Sequence, residues 1–343
     1  MTQMQTFLST QGAVFESDAL IHFGNPNIEK LAINQDIITA LSHMGILEVR
    51  GEDAITFLQG QLTNDIKQLN GTNSHYSGYC NPKGRLLALF LAFAHQDHLH
   101  LQLPLCLIEA IAKRLRMYVM RSKVTIEDKS DEIISLGIAG PNAESKIKAL
   151  FNVAPKVAHE LITLEDATLL RLPGEFPRYQ VFTHHSHLER IWKALSLDTQ
   201  KVGKSVWDYL EIQAGIPEIT TATQEAFVPQ MVNLDALDAI NFKKGCYPGQ
   251  EVVARSQFRG TLKRRAFIAQ SAAPLVAGQE VFSSLDTTQP CGLVAQAASD
   301  DASHVAVLEL QLSATENSSL HLGAADGPVL SLLPLPYALR EDI

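Results

Sequence analysis

The chain has few of the residues that build disulfide frameworks or zinc sites. Its 343 residues include only four cysteines, and no two of them form a C-x-x-C pair. Cysteines this far apart in a chain of this length indicate free thiols. We therefore expect reduced cysteines and no metal ion.

Long apolar runs are also missing, since no segment reaches the ~18 apolar residues that a membrane helix needs. The first residues, MTQMQTFLSTQGAVFESDAL, lack the basic region and apolar core of a secretory signal. We therefore expect a cytoplasmic protein without a membrane partner. Aromatic residues make up only 7% of the chain, whereas the 46% of hydrophobic residues is typical of a globular protein.

Positive charge is scarce, and this argues against general nucleic-acid binding. The formal net charge is -9, which repels a phosphate backbone at long range. One basic run, RSQFRGTLKRR, is the exception. It contains Arg255, Arg259, Lys263, Arg264 and Arg265. Its simplest interpretation is a solvated strand-turn-strand edge, and an anion or ligand-tail site is the alternative.

Motifs of the common enzyme classes are absent from the sequence. No Ser-His-Asp order, P-loop, H-E-x-x-H or G-x-G-x-x-G stands in a supporting strand-helix context. The sequence therefore gives no support for a hydrolase, a kinase or a dehydrogenase.

The apolar periodicity that is present predicts an α+β protein. Residues 1–130 follow a strand-helix-strand-strand-helix-strand order, which favours a split, ferredoxin-like, mostly antiparallel sheet. Residues 131–202 repeat that order as a second, related unit. Residues 203–260 combine a helix, a long loop and a cysteine motif, and complete the first unit. Short, regularly spaced strands in residues 261–343 predict a small antiparallel β-barrel.

Two groups of histidines raise the question of a metal site. In HLHLQL the alternation predicts that the leucines face the core and that His98 and His100 face solvent. A solvated strand face is favoured there over a metal pair. His184, His185 and His187 stand at the start of a predicted helix, where an exposed cap is favoured over a metal site.

Cys246 has the surroundings of a reactive thiol. It lies in NFKKGCYPGQEVVAR, after Lys243 and Lys244 and before a turn, and nearby positive charge favours the thiolate. A packing cysteine usually stands in an apolar run, as Cys106 does, and packing remains the alternative for Cys246. Trp207 lies on a short predicted helix, where it either stacks on an aromatic ligand or belongs to the core.

The segment FVPQMVNLDALDAINFKKGCYPGQEVVARSQFRGTLKRRAF closely resembles the signature of the YgfZ-type folate-binding proteins, which are relatives of the glycine-cleavage T-protein. The defining string of that family, K-G-C-Y-x-G-Q-E, is matched by residues 244–251. Supporting pieces are FLQGQLTND at 57–65, CNPKGR at 80–85, SKVTI at 122–126 and WDYLEIQAGIP at 207–217. The resemblance covers the chain from about residue 44 to residue 267.

The resemblance implies two related α+β units and a β-barrel in a T-protein-like ring, with tetrahydrofolate at its centre. It implies that Cys246 is the functional cysteine and that Trp207 contacts folate. Met44 stands where the family has a second tryptophan, and Gln213 stands where Glu is common. An amide cannot reproduce the bidentate pair that a carboxylate makes with a pterin. The predicted site is completed, on charge and proximity, by Lys244, Arg255 and Tyr247.

The resemblance also implies a role in the assembly or repair of iron-sulphur clusters, and through it in tRNA modification. The expected partners are folate and transient iron-sulphur client enzymes, without direct nucleic-acid contact, and we expect a monomer. No carboxylate follows Gly84, where the T-protein has an acidic residue for aminomethyl transfer, so a conventional turnover enzyme is not expected. A folate-dependent aminomethyltransferase or demethylase is the alternative function, and a direct tRNA-binding module is the third.

Overall fold

The computed structural model describes residues 1–95, 97–258, 262–299, 303–316 and 318–340. These residues form an α+β protein with a five-stranded sheet, a six-stranded sheet, a two-stranded hairpin and a closed six-stranded barrel. The α+β class and the C-terminal barrel predicted from the sequence are therefore confirmed. No helix in the described ranges is long and apolar enough to cross a membrane.

The described helices and strands have the following bounds. The described helices are α1 (Gln3–Thr10), α2 (Pro26–Lys30), α3 (Ala54–Gln59), α4 (Leu105–Val119), α5 (Ala143–Phe151), α6 (Leu188–Leu195), α7 (Lys204–Gln213) and α8 (Gln250–Phe258). The strands before the barrel are β1 (Val14–Glu16), β2 (Ala19–His22), β3 (Ile37–Ala40), β4 (Met44–Arg50), β5 (Ser74–Cys80), β6 (Leu86–His95), β7 (His98–Pro104), β8 (Thr125–Asp128), β9 (Ile133–Ala139), β10 (Leu161–Thr163), β11 (Thr168–Arg171), β12 (Arg178–His184) and β13 (Gln200–Lys201). The strands of the barrel are β14 (Arg264–Ser271), β15 (Glu280–Ser283), β16 (Gly292–Ser299), β17 (His304–Gln311), β18 (Leu320–Leu322) and β19 (Val329–Leu333).

By its internal contacts the chain divides into two units. The first unit consists of Met1–Phe57, Lys67–His75 and Leu91–Leu210. The second unit consists of Leu58–Ile66, Tyr76–Phe90 and the chain from Glu211 onward. The domain boundaries near residues 130, 202 and 260 stay a prediction.

The six-stranded sheet of the first unit includes β3, a short strand near the N-terminus. Its order is β10-β11-β12-β9-β3-β13, and β3 pairs antiparallel with β9. All four residues of β3 are buried, so the strand has no polar alternation by which the sequence could reveal it. Leu8 of α1 and Trp192 of α6 are both fully buried in the core that this sheet shares.

The predicted outward orientation of His100 is wrong. The five-stranded sheet has the order β5-β6-β7-β4-β8. His100 on β7 is only 3% exposed, and the leucines on either side of it, which face the opposite side of the sheet, are also buried. Its ring stacks on Phe93 at a centroid distance of 5.2 Å, and its Nε2 lies 3.5 Å from Oε2 of Glu48. Both faces of the sheet are covered at this point, and alternation alone does not reveal the second covered face.

In the other histidine group, His184 forms the exposed cap that the sequence predicts. His184 is exposed, and its ring accepts a hydrogen bond from the Ser186 backbone N–H at the start of the following helical turn. Within the described ranges, no three His, Cys, Asp or Glu side chains are grouped so that they could hold a metal ion.

The basic run does not form one solvated edge, so the strand-turn-strand interpretation is wrong. Arg255 lies on α8, which reaches Phe258, and β14 begins at Arg264. Arg264 pairs with Glu309 at 2.7 Å, and Arg265 is 3% exposed. Arg259 lies outside the described residues. The charge of the run is therefore divided between helix α8 and strand β14.

A buried ion pair fastens the long loop of the second unit to the barrel. Nη1 of Arg265 lies 2.6 Å from Oδ1 of Asp235, and Asp235 is fully buried. The same nitrogen donates to the Gln230 carbonyl at 3.3 Å. Because neither charge is hydrated, each depends on the other for its stabilisation.

We expect Asp235→Asn to lower the free energy of unfolding of the second unit by about 3 kcal/mol, because it leaves the Arg265 guanidinium buried without a counter-charge. Asp238→Asn is the matched control, since its ion pair with Arg340 involves a carboxylate that is 83% exposed. The control should change stability by no more than about 0.5 kcal/mol. Urea unfolding followed by tyrosine fluorescence measures both, and equal effects would contradict the prediction.

Candidate functional site

The candidate site is the loop of residues 241–249, which carries Cys246 and leads into α8. Its first residue is fixed because the Asn241 N–H donates to the Thr63 carbonyl at 3.0 Å. The Thr63 hydroxyl in turn donates to the Ala239 carbonyl at 2.7 Å. The loop therefore enters from a backbone that is held on two sides.

Lys244 anchors the middle of the loop. Its ammonium donates to the carbonyls of Gln59, at 2.6 Å, and Leu62, at 2.5 Å, where α3 ends. These carbonyls carry the partial negative charge of a helix C-terminus. The ammonium also lies 5.2 Å from the ring centre of Tyr247. Burial lowers the pKa of Lys244 from 10.5 to about 8, and the nearby Asp65 carboxylate opposes that shift.

The end of the loop is fixed by Tyr247 and Gly249. Tyr247 is 7% exposed, and burial raises the pKa of its phenol well above the ordinary value. Gly249 has φ +82°, and a Cβ there would lie 2.5 Å from the Asn81 carbonyl oxygen. Only glycine fits this close approach. Within the string that resembles a family signature, Lys244, Tyr247 and Gly249 therefore each hold the loop in place.

Cys246 is exposed between these anchors. Cys80 and Cys291 are buried, and burial raises the pKa of Cys80 to about 12. A buried, protonated thiol is chemically inert, whereas an exposed one is open to reaction. Packing, the alternative that the sequence left open for Cys246, therefore does not describe this side chain.

Trp207 is a core residue of the first unit. Its side chain is 2% exposed, and a Cβ on Gly137 would lie 2.6 Å from its ring. The Arg178 guanidinium lies 5.9 Å from the ring centre. The indole therefore has no exposed face for stacking. A folate contact by Trp207 stays a prediction.

The remaining predicted residues lie on three different elements. Met44 begins β4 and is half-buried, Gln213 ends α7 and is half-buried, and Arg255 is exposed on α8. Met44 and Trp207 belong to the first unit, whereas Gln213 and Arg255 belong to the second. Lys244, Cys246 and Tyr247 are the predicted residues that one loop brings together.

The support of this loop could not be read from the sequence. Asn64 is buried. Its side-chain amide donates to the carbonyls of Tyr76, at 2.9 Å, and Asp238, at 2.7 Å. Thr63 and Asn64 both lie in the FLQGQLTND piece. Two adjacent side chains that bond to distant backbone leave no periodic signal in a sequence.

Comparison with known proteins first defines the class. Residues 29–241 match the family model of the GCVT N-terminal domain. The crystal structure of glycine cleavage system aminomethyltransferase T from Bartonella henselae has the same fold, with a TM-score of 0.74 over 99% of this chain and 98% of that chain. The two sequences are 17% identical. The chain is therefore a protein of the T-protein fold.

Curated relatives narrow this class to a family. The tRNA-modifying protein YgfZ of Sodalis glossinidius is 31% identical over 89% of this chain and 94% of its own length. That of Enterobacter sp. strain 638 is 33% identical with the same coverage. That of Colwellia psychrerythraea is 36% identical over 67% of this chain and 70% of its own length. The chain belongs to the YgfZ family.

We expect Lys244→Met to remove a pH dependence of stability. Between pH 8 and pH 10.5 Lys244 is protonated in the unfolded chain but not in the folded one, because folding lowers its pKa. The unfolded state then binds more protons, so the contribution of Lys244 to the free energy of unfolding rises with pH across this window. The rise is on the order of 2–3 kcal/mol.

Urea unfolding of the wild type and of Lys244→Met between pH 7 and pH 10.5 measures this rise as the change in their difference. Lys243→Met is the control, since Lys243 is an exposed neighbour in the same loop. A wild-type-minus-variant difference that stays constant with pH would show that Lys244 is not desolvated in the folded state.

Proposed function

We propose that this protein binds tetrahydrofolate and assists the assembly or repair of iron-sulphur clusters in client enzymes, including enzymes that modify tRNA. The observation that carries the proposal is the exposed Cys246 thiol on a loop whose neighbouring residues are anchored. A thiolate is a good ligand and nucleophile. A thiol held at a fixed position on the surface suits transient contact with a cluster or a client protein.

The role in tRNA modification is supported by the relatives, which are named tRNA-modifying proteins. We propose that the link is indirect and passes through the iron-sulphur clients. The basic run supports an indirect link, because Arg264 and Arg265 are neutralised by Glu309 and Asp235. Two of the five charges of the run are thus engaged within the protein and not available to a phosphate backbone, and phosphate contacts dominate nucleic-acid affinity.

The folate part of the proposal rests on the motif resemblance and on membership of the YgfZ family. Trp207, Gln213 and Met44 are its proposed contacts, while Lys244, Tyr247 and Arg255 are proposed for the charged or outer part of the ligand. Since Lys244 is engaged with helix-end carbonyls, its contribution to a ligand is a positive potential rather than a free side chain.

Aminomethyl transfer is the weaker alternative for the same ligand. Gly84 is followed by Arg85, whose guanidinium donates to the Ala226 carbonyl at 2.5 Å. The next residues are leucine, leucine and alanine. A cation held against backbone cannot take the part of a carboxylate that stabilises an iminium-like species or handles a proton.

We expect Gln213→Glu to tighten tetrahydrofolate binding by roughly tenfold, because a carboxylate makes charge-assisted bonds to the pterin amino edge that an amide cannot make. Isothermal titration calorimetry of the purified wild type and variant measures the dissociation constants. Gln68→Glu carries the same charge change at an exposed position and should bind as the wild type does. No binding by any of the three proteins would remove folate from the proposal.

Cys246→Ser should fail to restore the activity of iron-sulphur enzymes in cells that lack the native protein, because the hydroxyl is neither a comparable nucleophile nor a comparable metal ligand. Cys106→Ser is the matched control, since Cys106 is also exposed but lies outside the signature, and it should restore activity. Tetrahydrofolate binding by both variants should equal that of the wild type. Full restoration by Cys246→Ser would reject a chemical role for this thiol.

A further inference from the structure

The turn that precedes β5 carries the one Asn-Gly pair in the sequence, Asn70-Gly71. The pair belongs to the first unit, and the proposed function does not use it. The side-chain carbonyl carbon of an asparagine can be attacked by the peptide nitrogen of the next residue, which closes a five-membered ring. Glycine hinders this attack least, because it has no Cβ and its backbone is the most adaptable. The pair is therefore a candidate for a reaction of an asparagine with its own backbone.

The reacting groups of this pair are accessible. Asn70 is exposed, and a Cβ at Gly71 would meet no atom within 4 Å. Among the residues that the structure describes, no group accepts a hydrogen bond from the Gly71 N–H. The attacking nitrogen can therefore approach the side chain without first breaking a hydrogen bond or displacing a neighbouring residue.

Thr72 holds the side-chain carbonyl of Asn70. Oδ1 of Asn70 accepts hydrogen bonds from the Thr72 backbone N–H, at 3.0 Å, and from the Thr72 hydroxyl, at 2.7 Å. The first bond closes an Asx-turn, a ring that contains the Gly71 nitrogen. Negative charge develops on Oδ1 when a nitrogen attacks Cγ, and donors aimed at that oxygen stabilise this charge. Thr72 therefore keeps the carbonyl beside the Gly71 peptide and polarises it for attack.

Two other asparagines in the same stretch of chain lack these conditions. Asn73 is followed by Ser74, which is only 3% exposed and whose N–H donates to the His159 carbonyl at 2.9 Å. Asn81 is followed by Pro82, whose nitrogen carries no proton. The fold therefore restrains the reaction at the first of them, and the chemistry of proline excludes it at the second.

We propose that Asn70-Gly71 is a site of spontaneous deamidation in the folded protein. The Gly71 nitrogen attacks Cγ of Asn70 and forms an N–C bond, while the side-chain amide group takes up the Gly71 proton and leaves as ammonia. Water then opens the resulting succinimide. Cleavage of the new N–C bond gives aspartate, whereas cleavage of the original peptide bond gives isoaspartate, in which the chain continues through the side chain.

The reaction alters a segment that is paired with other backbone. The Thr72 carbonyl accepts the Leu161 N–H at 2.9 Å, at the start of β10, and Asn73 forms a bridge with Glu160. Isoaspartate inserts an extra carbon into the main chain just before this pairing, and aspartate and isoaspartate both add a negative charge. Deamidation therefore changes both the charge of the turn and the backbone that leads into its pairing with β10.

One peptide of the wild-type protein tests the proposal, because the tryptic fragment of residues 68–83 contains all three asparagines. The protein is incubated in neutral buffer, either folded or in urea, and fragmentation mass spectrometry locates the amide-to-carboxyl exchange. Asn70 should react at least as fast in the folded protein as in urea. Asn73 should react roughly tenfold more slowly when folded, because the Ser74 N–H must first leave its acceptor. Asn81 should not react. A lower rate at Asn70 in the folded protein than in urea would overturn the proposal.

Two variants at exposed positions test the assigned roles. Asn70→Gln keeps an amide but would have to close a six-membered ring, so the exchange at this position should be lost. A methyltransferase specific for isoaspartate, with labelled S-adenosylmethionine, should therefore modify the aged wild type and not Asn70→Gln. Equal labelling of the two proteins would overturn the assignment to Asn70.

Thr72→Val keeps the backbone donor and the branched shape of the side chain but removes the hydroxyl. The exchange at Asn70 in the folded protein should then slow by roughly fivefold, the effect of one lost hydrogen bond. In urea the rates of wild type and Thr72→Val should agree. An unchanged folded-state rate would reject the role of the hydroxyl. Thermal unfolding verifies that the variants fold, and the comparison of the asparagines within the wild type decides the matter if they do not.

Discussion

The arrangement of the cysteine loop depends on one half-buried ammonium group, that of Lys244. The Lys244 ammonium donates two charge-assisted hydrogen bonds to the carbonyls at the end of α3 and also lies over the Tyr247 ring. These contacts offset the loss of hydration of the ammonium. The lowered pKa of Lys244 is the sign of that loss. Because the flanking residues supply the attachment, Cys246 itself has no packing role and its thiol faces solvent.

Two glycines allow two separate motif pieces to pack closely against each other. Gly84 in CNPKGR and Gly249 in the cysteine string both have positive φ, and a Cβ at Gly249 would lie 2.7 Å from the Gly84 Cα. The two backbones approach too closely for any side chain at this point. The two turns therefore pack directly against each other, and the CNPKGR piece and the cysteine string form one contact.

Regular periodicity predicted most of the fold, and buried polarity explains most of what was missed. The stripe of α4, the helix at α7 and the short strands of the barrel follow directly from apolar spacing. The strand β3 was missed because it is buried on both faces. His100 and Arg265 were assigned to the surface because a polar residue usually lies there, yet each is buried beside a carboxylate. Such pairs join residues 52 and 30 positions apart, and only the folded chain brings them together.

Those residues of the candidate site that are adjacent in the sequence could be predicted. The contacts that depend on burial or join distant segments could not. Cys246, Lys244 and Tyr247 are adjacent in the sequence, and their loop is continuous. Trp207 could be either a stacking surface or a core residue by sequence, and in the structure its ring is buried against Gly137. The pairing of Lys244 with the end of α3 could not be foreseen, since it joins segments about 180 residues apart.

Both tryptophans of the chain, Trp192 and Trp207, are buried in the first unit. The second unit, with the cysteine loop and the barrel, carries none. Intrinsic tryptophan emission is therefore a selective optical label: it follows the melting of one half of the chain and does not detect the other. A two-probe comparison of tryptophan and tyrosine emission can then establish whether the two units unfold in a single cooperative step.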